Sequence, residues 1–152
     1  MSSPAASASW LEDLSLDKCL QLLRQCEVGR IATVVEGAPV IVPVSYRLAE
    51  PPGRTWIAIR TRAGSVVDQA DSKVAFEVDV IDTVQHEGWS VLVRGTLHHV
   101  DATAADFRER FDPQPWILAE RDVWLVIEPF AITGRRLRAG EREWAFQLRA
   151  YL

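Results

Sequence analysis

The residues best suited to binding an anion lie in one short segment, "RTRAGS", residues 60–65. A turn at Ala63-Gly64 followed by Ser65 would present backbone N–H groups at the start of a short helix, where the exposed donors and the helix dipole favour an anion. Arg60 and Arg62 would add charge-assisted hydrogen bonds, and the hydroxyls of Thr61 and Ser65 would add neutral ones. The segment is therefore a candidate phosphate site.

A simpler interpretation of the same segment is also open. Residues 65–71 are predicted to form one or two helical turns, and Ser65 alone would then serve as the N-cap while both arginines lie in water. Capped turns are far commoner than phosphate sites, so the spacing of these residues alone favours the capped turn.

The spacing of the histidines and cysteines does not indicate a catalytic or metal site. On a strand, His98 and His99 point to opposite faces, so they cannot ligate one metal from the same side, and His86 stands apart from both. Cys19 and Cys26 lie about 10 Å apart along a predicted helix, which excludes a disulfide and favours free thiols in a reducing cytoplasm. The motifs GxSxG, GxGxxG and GxxxxGK[ST] are absent.

The bulk composition is that of one globular domain. The chain has 152 residues, 48% of them hydrophobic, and a net charge of −4. This charge argues against a protein that coats nucleic acid, and no apolar run approaches the roughly 20 residues that a membrane span needs. We expect a flexible N-terminal tail over residues 1–10, a single domain over residues 11–152, and a cytoplasmic location.

The pattern of apolar residues predicts a mainly β fold. An amphipathic helix begins after the N-cap Ser15, and Glu36-Gly37 joins the first two strands in a hairpin. A second helix, over residues 103–111, carries Ala104, Phe107 and Phe111 inward, and Gly95 marks a bulge or a close backbone approach. Strands are predicted in the segments VGRIATVV, PVIVPVSYRL, RTWIAIRT, KVAFEVDVI, GWSVLVRGTLHHV and DVWLVIEPFAIT, with a further one in EWAFQLRAYL.

These six or seven strands with short hairpins predict a closed or split antiparallel barrel. Several strands are apolar on both faces, as in VIVPV and VWLVI, so the face outside the barrel needs cover. The six tryptophans also favour a buried interface, because aromatic residues are enriched at interfaces. We therefore expect a homodimer. The basic cluster "GRRLR", residues 134–138, is either a solvated rim or a ligand or partner contact.

The order of these segments resembles the pyridoxamine 5'-phosphate oxidase-like family of FMN-binding split barrels, in particular its small actinobacterial-type members. The resemblance runs from about Leu16 to Arg138 and includes CEVGRIATV, PVIVPVSYRL, IRTRAGS, VAFEVDVID, GWSVLVRGTLHHV and ITGRRL. It implies a six-stranded antiparallel split β-barrel, dimeric, with two FMN sites at the subunit interface.

The resemblance also assigns cofactor-binding residues. The PVSY strand would lie along the flavin ring, and the IRTRAGS segment would hold the phosphate and ribityl chain. From the second subunit, a tryptophan and a serine would approach the ring. The chain departs from the family where members often have a lysine, at Val66, and Arg62 or another basic residue would have to replace that cation. The implied set is Val42, Pro43, Val44, Ser45, Arg60, Thr61, Arg62, Gly64, Ser65, Trp89 and Ser90.

The resemblance implies an FMN-dependent oxidoreductase that transfers hydride between the flavin and an unknown small molecule, with no partner nucleic acid or membrane. No catalytic acid or base stands out, which fits chemistry supplied by the cofactor. True pyridoxamine phosphate oxidases have a longer C-terminal region that REWAFQLRAYL does not match. Two alternatives stay open: a split barrel that binds the deazaflavin F420 or haem, and a non-catalytic flavin-binding or interaction dimer.

Overall fold

The computed structural model describes residues 10–101, 104–117 and 120–138. Its elements follow one another along the chain as β1 (Trp10–Leu14), α1 (Leu16–Gln25), β2 (Val28–Val35), β3 (Ala38–Ala49), β4 (Trp56–Thr61), β5 (Lys73–Asp82), β6 (Glu87–His99), α2 (Ala105–Arg110) and β7 (Val123–Arg138). The mainly β class is therefore confirmed. The strand predicted over residues 143–152 lies outside the described residues.

The strands form one antiparallel sheet that closes on itself. Its order is β1-β7-β4-β3-β2-β5-β6, and β6 pairs in addition with β7, so β2 to β7 complete a barrel of six strands. This is the number that the family resemblance implies. The sequence did not predict β1, which begins at Trp10 and pairs with the end of β7 outside that ring.

The hairpin of β2 and β3 forms where the sequence predicted it. Its turn residues Glu36 and Gly37 have φ values of 51° and 81°, the left-handed conformation that a tight hairpin requires. The register pairs Val28 with Ser45 and Val35 with Ala38. This register determines which side chains of β2 and β3 lie on the outer face of the hairpin.

The long strand β6 has the predicted irregularity at Gly95. Its register against β7 shifts between Arg94 and Gly95, which is a β-bulge. A Cβ atom at Gly95 would meet the carbonyl oxygen of Glu128, and it would lie 2.7 Å from Cγ2 of Ile127. The backbones of β6 and β7 therefore approach each other closely here.

The two helices pack on different surfaces. Ser15 caps α1, accepting a hydrogen bond from Lys18 N at 3.3 Å, and the helix buries Cys19 in the main core. The shorter α2 carries Phe107 and its C-cap Phe111 against a second cluster on the outer face of the barrel. The inward direction predicted for these phenylalanines is confirmed.

Apolar side chains remain exposed on the outer face of β2 and β3, which α2 does not cover. We call Val34, Pro39, Ile41 and Pro43 the outer patch; the side chain of Ile41 is 67% exposed. Ala32 and Ala75, in adjacent strands, continue the same surface toward β6. None of the helices in the described part of the chain is long and apolar enough to cross a membrane.

Candidate functional site

Arg60 is the last residue but one of strand β4, and groups from later in the chain hold its side chain on the outer face. Its Nε donates to the carbonyl oxygen of Arg121 at 3.1 Å, and its Nη1 lies 3.1 Å from Oδ1 of Asp112. The guanidinium carbon lies 5.1 Å from the ring centroid of Trp124, its neighbour on β7. These contacts fix the position of the guanidinium group.

A cavity of about 240 Å³ brings Arg60 together with three other predicted residues, Pro43, Val44 and Ser45. The register explains this, because Tyr46 pairs with Ile59 and the next residues, Ser45 and Arg60, lie side by side. We call this space the Arg60 cavity. Its other lining residues are Val28, Pro115, Trp116, Ile117 and Arg121.

Val42 does not line this cavity. Side chains alternate between the faces of a strand, so Val42 and Val44 both pack against the main core while Pro43 is exposed on the outer face. Val44 still borders the cavity, although its side chain points into the core. Of the four residues predicted to lie along a flavin ring, the structure therefore places three around one space.

Thr61 and Ser65 form a polar pair separate from Arg60. Thr61 is 3% exposed, and its Oγ1 lies 2.7 Å from Oγ of Ser65. Since neighbouring side chains of a strand point to opposite faces, Thr61 lies on the inner side of β4 and Arg60 on the outer side. The "RTRAGS" segment thus presents its groups in two directions.

The backbone N–H of Gly64 is already bonded to an acid of the chain. It donates to Oδ2 of Asp68 at 2.9 Å, and Oδ1 of Asp68 lies 2.7 Å from Nε2 of His99. These two hydrogen bonds, that from Gly64 first, lower the pKa of the Asp68 carboxyl. A ligand phosphate at this N–H group would have to displace Asp68.

The helix predicted over residues 65–71 does not form. Turns occupy this stretch instead, with Ser65 N donating to Arg62 O and Asp68 N donating to Ser65 O. Ser65 pairs with Thr61 and caps no helix, so both interpretations that relied on a helix here are corrected. The proposed roles of Gly64 and Ser65 as ligands stay predictions.

Asp68 gives a prediction on pH. Because its pKa is lowered in the folded chain, the carboxylate stabilises the fold above pH 3.8, its ordinary pKa, and this contribution is lost as the pH falls below that value. We expect Asp68→Asn to lower the urea midpoint of unfolding more at pH 7 than at pH 3. An equal loss at both pH values would contradict the role given to the charge.

The two residues predicted to act from a second subunit lie apart from the Arg60 cavity. Trp89 lines another cavity, of about 340 Å³, together with Arg136 and Arg138. Ser90 pairs with Arg135 across β6 and β7. The "GRRLR" cluster forms the end of β7. Arg62 is exposed, as is Val66.

The remaining candidates for chemistry are accounted for by internal contacts. His98 lies 3.2 Å from Glu128, and His99 contacts Asp68. Within the described ranges no three His, Cys, Asp or Glu residues converge as a metal site. Burial raises the pKa of both thiols, Cys19 and Cys26, which disfavours a reactive thiolate.

A larger cavity, of about 550 Å³, contains none of the predicted site residues. It lies between the end of α1 and the segment after α2, and it shares Trp116 with the Arg60 cavity. At its wall the hydroxyl of Tyr46 donates to Leu23 O at 2.6 Å, and burial raises the pKa of Tyr46. This hydroxyl is therefore a neutral structural group.

Sequence reasoning missed the segment that covers the Arg60 cavity. Residues 112–117 place Asp112 on Arg60 and the exposed Trp116 over the cavity. Arg121 lines the cavity, and the Nε atoms of Arg108 and Arg121 are buried without a hydrogen-bond partner among the described residues. Unsatisfied cationic donors beside an apolar wall suit a ligand that carries a phosphate. The only sequence signal for this segment was the pair of prolines in DPQPW.

Comparison with known proteins now bears on this site. The family model described as pyridoxamine 5'-phosphate oxidase matches residues 15–136. The chain belongs to this family. The family that the order of segments suggested is therefore confirmed, and so is the split-barrel fold.

Members of the pyridoxamine 5'-phosphate oxidase family and solved split barrels resemble the chain over most of its length. A Mycobacterium tuberculosis protein named "Uncharacterized protein Rv0080" is 30% identical over 140 residues, which are 90% of this chain and 91% of that protein. The FAD binding protein from Mycobacterium smegmatis is 30% identical with a TM-score of 0.63, covering 85% of this chain and 100% of that one. A Corynebacterium diphtheriae protein of unknown function, DIP1874, is 25% identical with a TM-score of 0.71, covering 84% and 98%.

Proposed function

We propose that this chain is a flavin-binding oxidoreductase that transfers hydride between FMN and a small molecule in the cytoplasm. Membership of the pyridoxamine 5'-phosphate oxidase family supports the proposal, as does the 30% identity to a protein described as FAD binding. Bound flavin would supply the redox chemistry, and the protein would orient it and exclude water.

The observation that carries the proposal is the composition of the Arg60 cavity. Pro43 and Val28 offer an apolar wall beside the hydroxyl of Ser45, and the guanidinium of Arg60 lies at one end. Its described lining includes no Asp, Glu, His, Cys, Lys or Tyr, hence no group suited to general acid or base catalysis near neutral pH. This suits a site whose chemistry comes from a bound cofactor.

The size of the cavity supports a dimer. At about 240 Å³ it is smaller than the roughly 300–1,000 Å³ of ordinary ligand sites, so one chain encloses only part of a flavin. In the proposed homodimer, two outer patches meet across a twofold axis, and Trp89 and Ser90 of one protomer complete the site of its partner. The apolar surface of the outer patch supports this arrangement.

FAD is the second candidate cofactor. The Mycobacterium smegmatis protein described as FAD binding is aligned over its whole length with this chain at 30% identity. FAD carries the same ring as FMN, with a second phosphate and an adenosine, so the Arg60 cavity suits the shared part of both.

An absorbance spectrum and a titration test the proposal. We expect the purified protein, or the apoprotein after adding FMN, to show a flavin absorption band, to quench flavin fluorescence and to melt at a higher temperature. Parallel titrations with FAD, F420 and haem identify the cofactor. A protein that binds neither FMN nor FAD contradicts the proposal, and one that binds flavin but never exchanges electrons with a nicotinamide cofactor or an acceptor would be a non-catalytic dimer.

A further inference from the structure

Two arginines from separate parts of the chain contact the indole of Trp124, and the backbone of a third is bonded to one of them. The guanidinium carbon of Arg60 lies 5.1 Å from the indole centroid, and that of Arg108 in α2 lies 5.6 Å from the same centroid. Arg121 precedes β7, and its carbonyl oxygen accepts the hydrogen bond from Arg60 Nε. We call Arg60, Arg108 and Arg121 the arginine cluster.

Among the ion pairs of the described residues, one acid contacts this cluster. Asp112 lies 3.1 Å from Arg60, so one negative charge faces three positive ones. The Arg60 side chain is 24% exposed, and like charges in such a partly buried place repel one another strongly. The flanking acids Glu120 and Asp122 are exposed. A bound anion would relieve this repulsion.

Two donors of the cluster lack an acceptor. The Nε atoms of Arg108 and Arg121 are buried and have no hydrogen-bond partner among the described residues. A buried donor left unsatisfied is costly, whereas a phosphate oxygen would accept a short charge-assisted hydrogen bond from it. The orphaned atoms thus point to a missing anion.

Two members of the cluster line the cavity that we propose for the flavin, and Arg108 contacts the same indole as one of them. Arg60 and Arg121 line the same cavity as Pro43, Val44 and Ser45. The alternative donor, the N–H of Gly64, is occupied by the carboxylate of Asp68. Arginine side chains are therefore available to a phosphate on the outer side of β4. In the loop that follows β4, the N–H of Gly64 is already hydrogen-bonded to the Asp68 carboxylate.

We infer that Arg108 and Arg121 complete, with Arg60, the binding site for the phosphate group of the ligand in the Arg60 cavity. The inference rests on the proposed function and deepens it, since it assigns the phosphate to residues that no sequence motif indicated. Arg121 and Arg108 supply the cations that Val66, an apolar residue in the loop, cannot.

Titration with FMN and with riboflavin, which is FMN without its phosphate, tests the inference. In Arg121→Gln and in Arg108→Gln we expect the affinity for FMN to fall at least about tenfold, the loss of one charge-assisted contact, while the affinity for riboflavin stays within about twofold. The matched control is Arg54→Gln, because Arg54 also lies over an indole, that of Trp56 at 5.0 Å, but lines other cavities. It should leave both affinities unchanged.

Two outcomes overturn the inference without touching flavin binding: unchanged FMN affinity in both variants, or equal losses for FMN and riboflavin. If the wild-type protein binds neither flavin, the proposed function fails, and inorganic phosphate then tests the cluster by itself. Phosphate should raise the melting temperature of the wild-type protein, relative to chloride at equal ionic strength, and not that of Arg121→Gln. Should a glutamine variant unfold, Arg121→Lys keeps the charge, and we expect it to retain most of the FMN affinity.

Discussion

Replacing Ile41 by aspartate is expected to convert the proposed homodimer to a monomer and to lower flavin affinity at least about tenfold. Ile41 is 67% exposed in the single chain and lies in the outer patch. In a twofold interface each substitution acts twice, removing roughly 1.5–3 kcal/mol of apolar burial per side chain and placing two carboxylates in an apolar contact. Flavin affinity is expected to fall because Trp89 and Ser90 of the partner subunit would leave the proposed site. Light scattering and an FMN titration measure both effects.

The matched control is Val84→Asp. Val84 is also an exposed apolar residue, with 81% of its side chain accessible, but it lies in the turn between β5 and β6 and outside the outer patch. It should leave the dimer and the flavin affinity unchanged. The proposed interface fails if Ile41→Asp remains a dimer at micromolar concentration, and the coupling of site to interface fails if the monomer binds FMN as tightly as the wild-type protein.

The Gly95→Ala substitution is expected to destabilise the fold by about 3 kcal/mol or more, which is a large fraction of the stability of a small domain. The added methyl group would overlap the carbonyl oxygen of Glu128 and approach Cγ2 of the fully buried Ile127. Backbone atoms of β7 cannot move aside without breaking the pairing that closes the barrel. Urea unfolding at equilibrium measures the loss.

Gly53→Ala is the control that separates packing from backbone conformation. Gly53 has a φ of +71° and nothing within 4 Å of an added Cβ, so its cost is the strain of a left-handed alanine, about 1 kcal/mol. Similar losses of stability for the two variants would contradict this, because they would mean that β7 moves away from the added methyl group at little cost.

Most of the barrel could be predicted because its strands carry local signals. Glu36-Gly37 between two β-branched runs predicts a hairpin, and an isolated Gly95 in a long strand predicts a bulge. β1 was missed because WLEDL is short and acidic and becomes a strand only through its pairing with β7. Tertiary pairing, not local propensity, makes this strand.

The predicted helix over residues 65–71 failed for an identifiable reason. Its cap, Ser65, bonds to Thr61, and the carboxylate of Asp68 bonds back to Gly64. These side-chain contacts offer the backbone a turn in place of a helix, which Ser and Asp often do. A sequence shows that such residues are present but not which competing bond they will make.

The candidate site was predictable where it follows strand register and not where it depends on loops. Ser45 and Arg60 are neighbours once β3 and β4 pair, and both were predicted. Asp112 and Arg121 reach the same place from segments more than 50 residues later, without a motif to mark them. Their role follows only from the path of the chain after α2.

The last described strand also determines when the barrel can exist at all. β7 pairs with β4, β6 and β1, and it begins at Val123, so none of these three pairings can form until the ribosome has made β7, the last described strand. Until then the edges of β4 and β6 lack their partner and resemble the open sheet edges that join other chains. Closure of the barrel thus follows the synthesis of β7, and α1, made earlier, must wait for the strand that covers it.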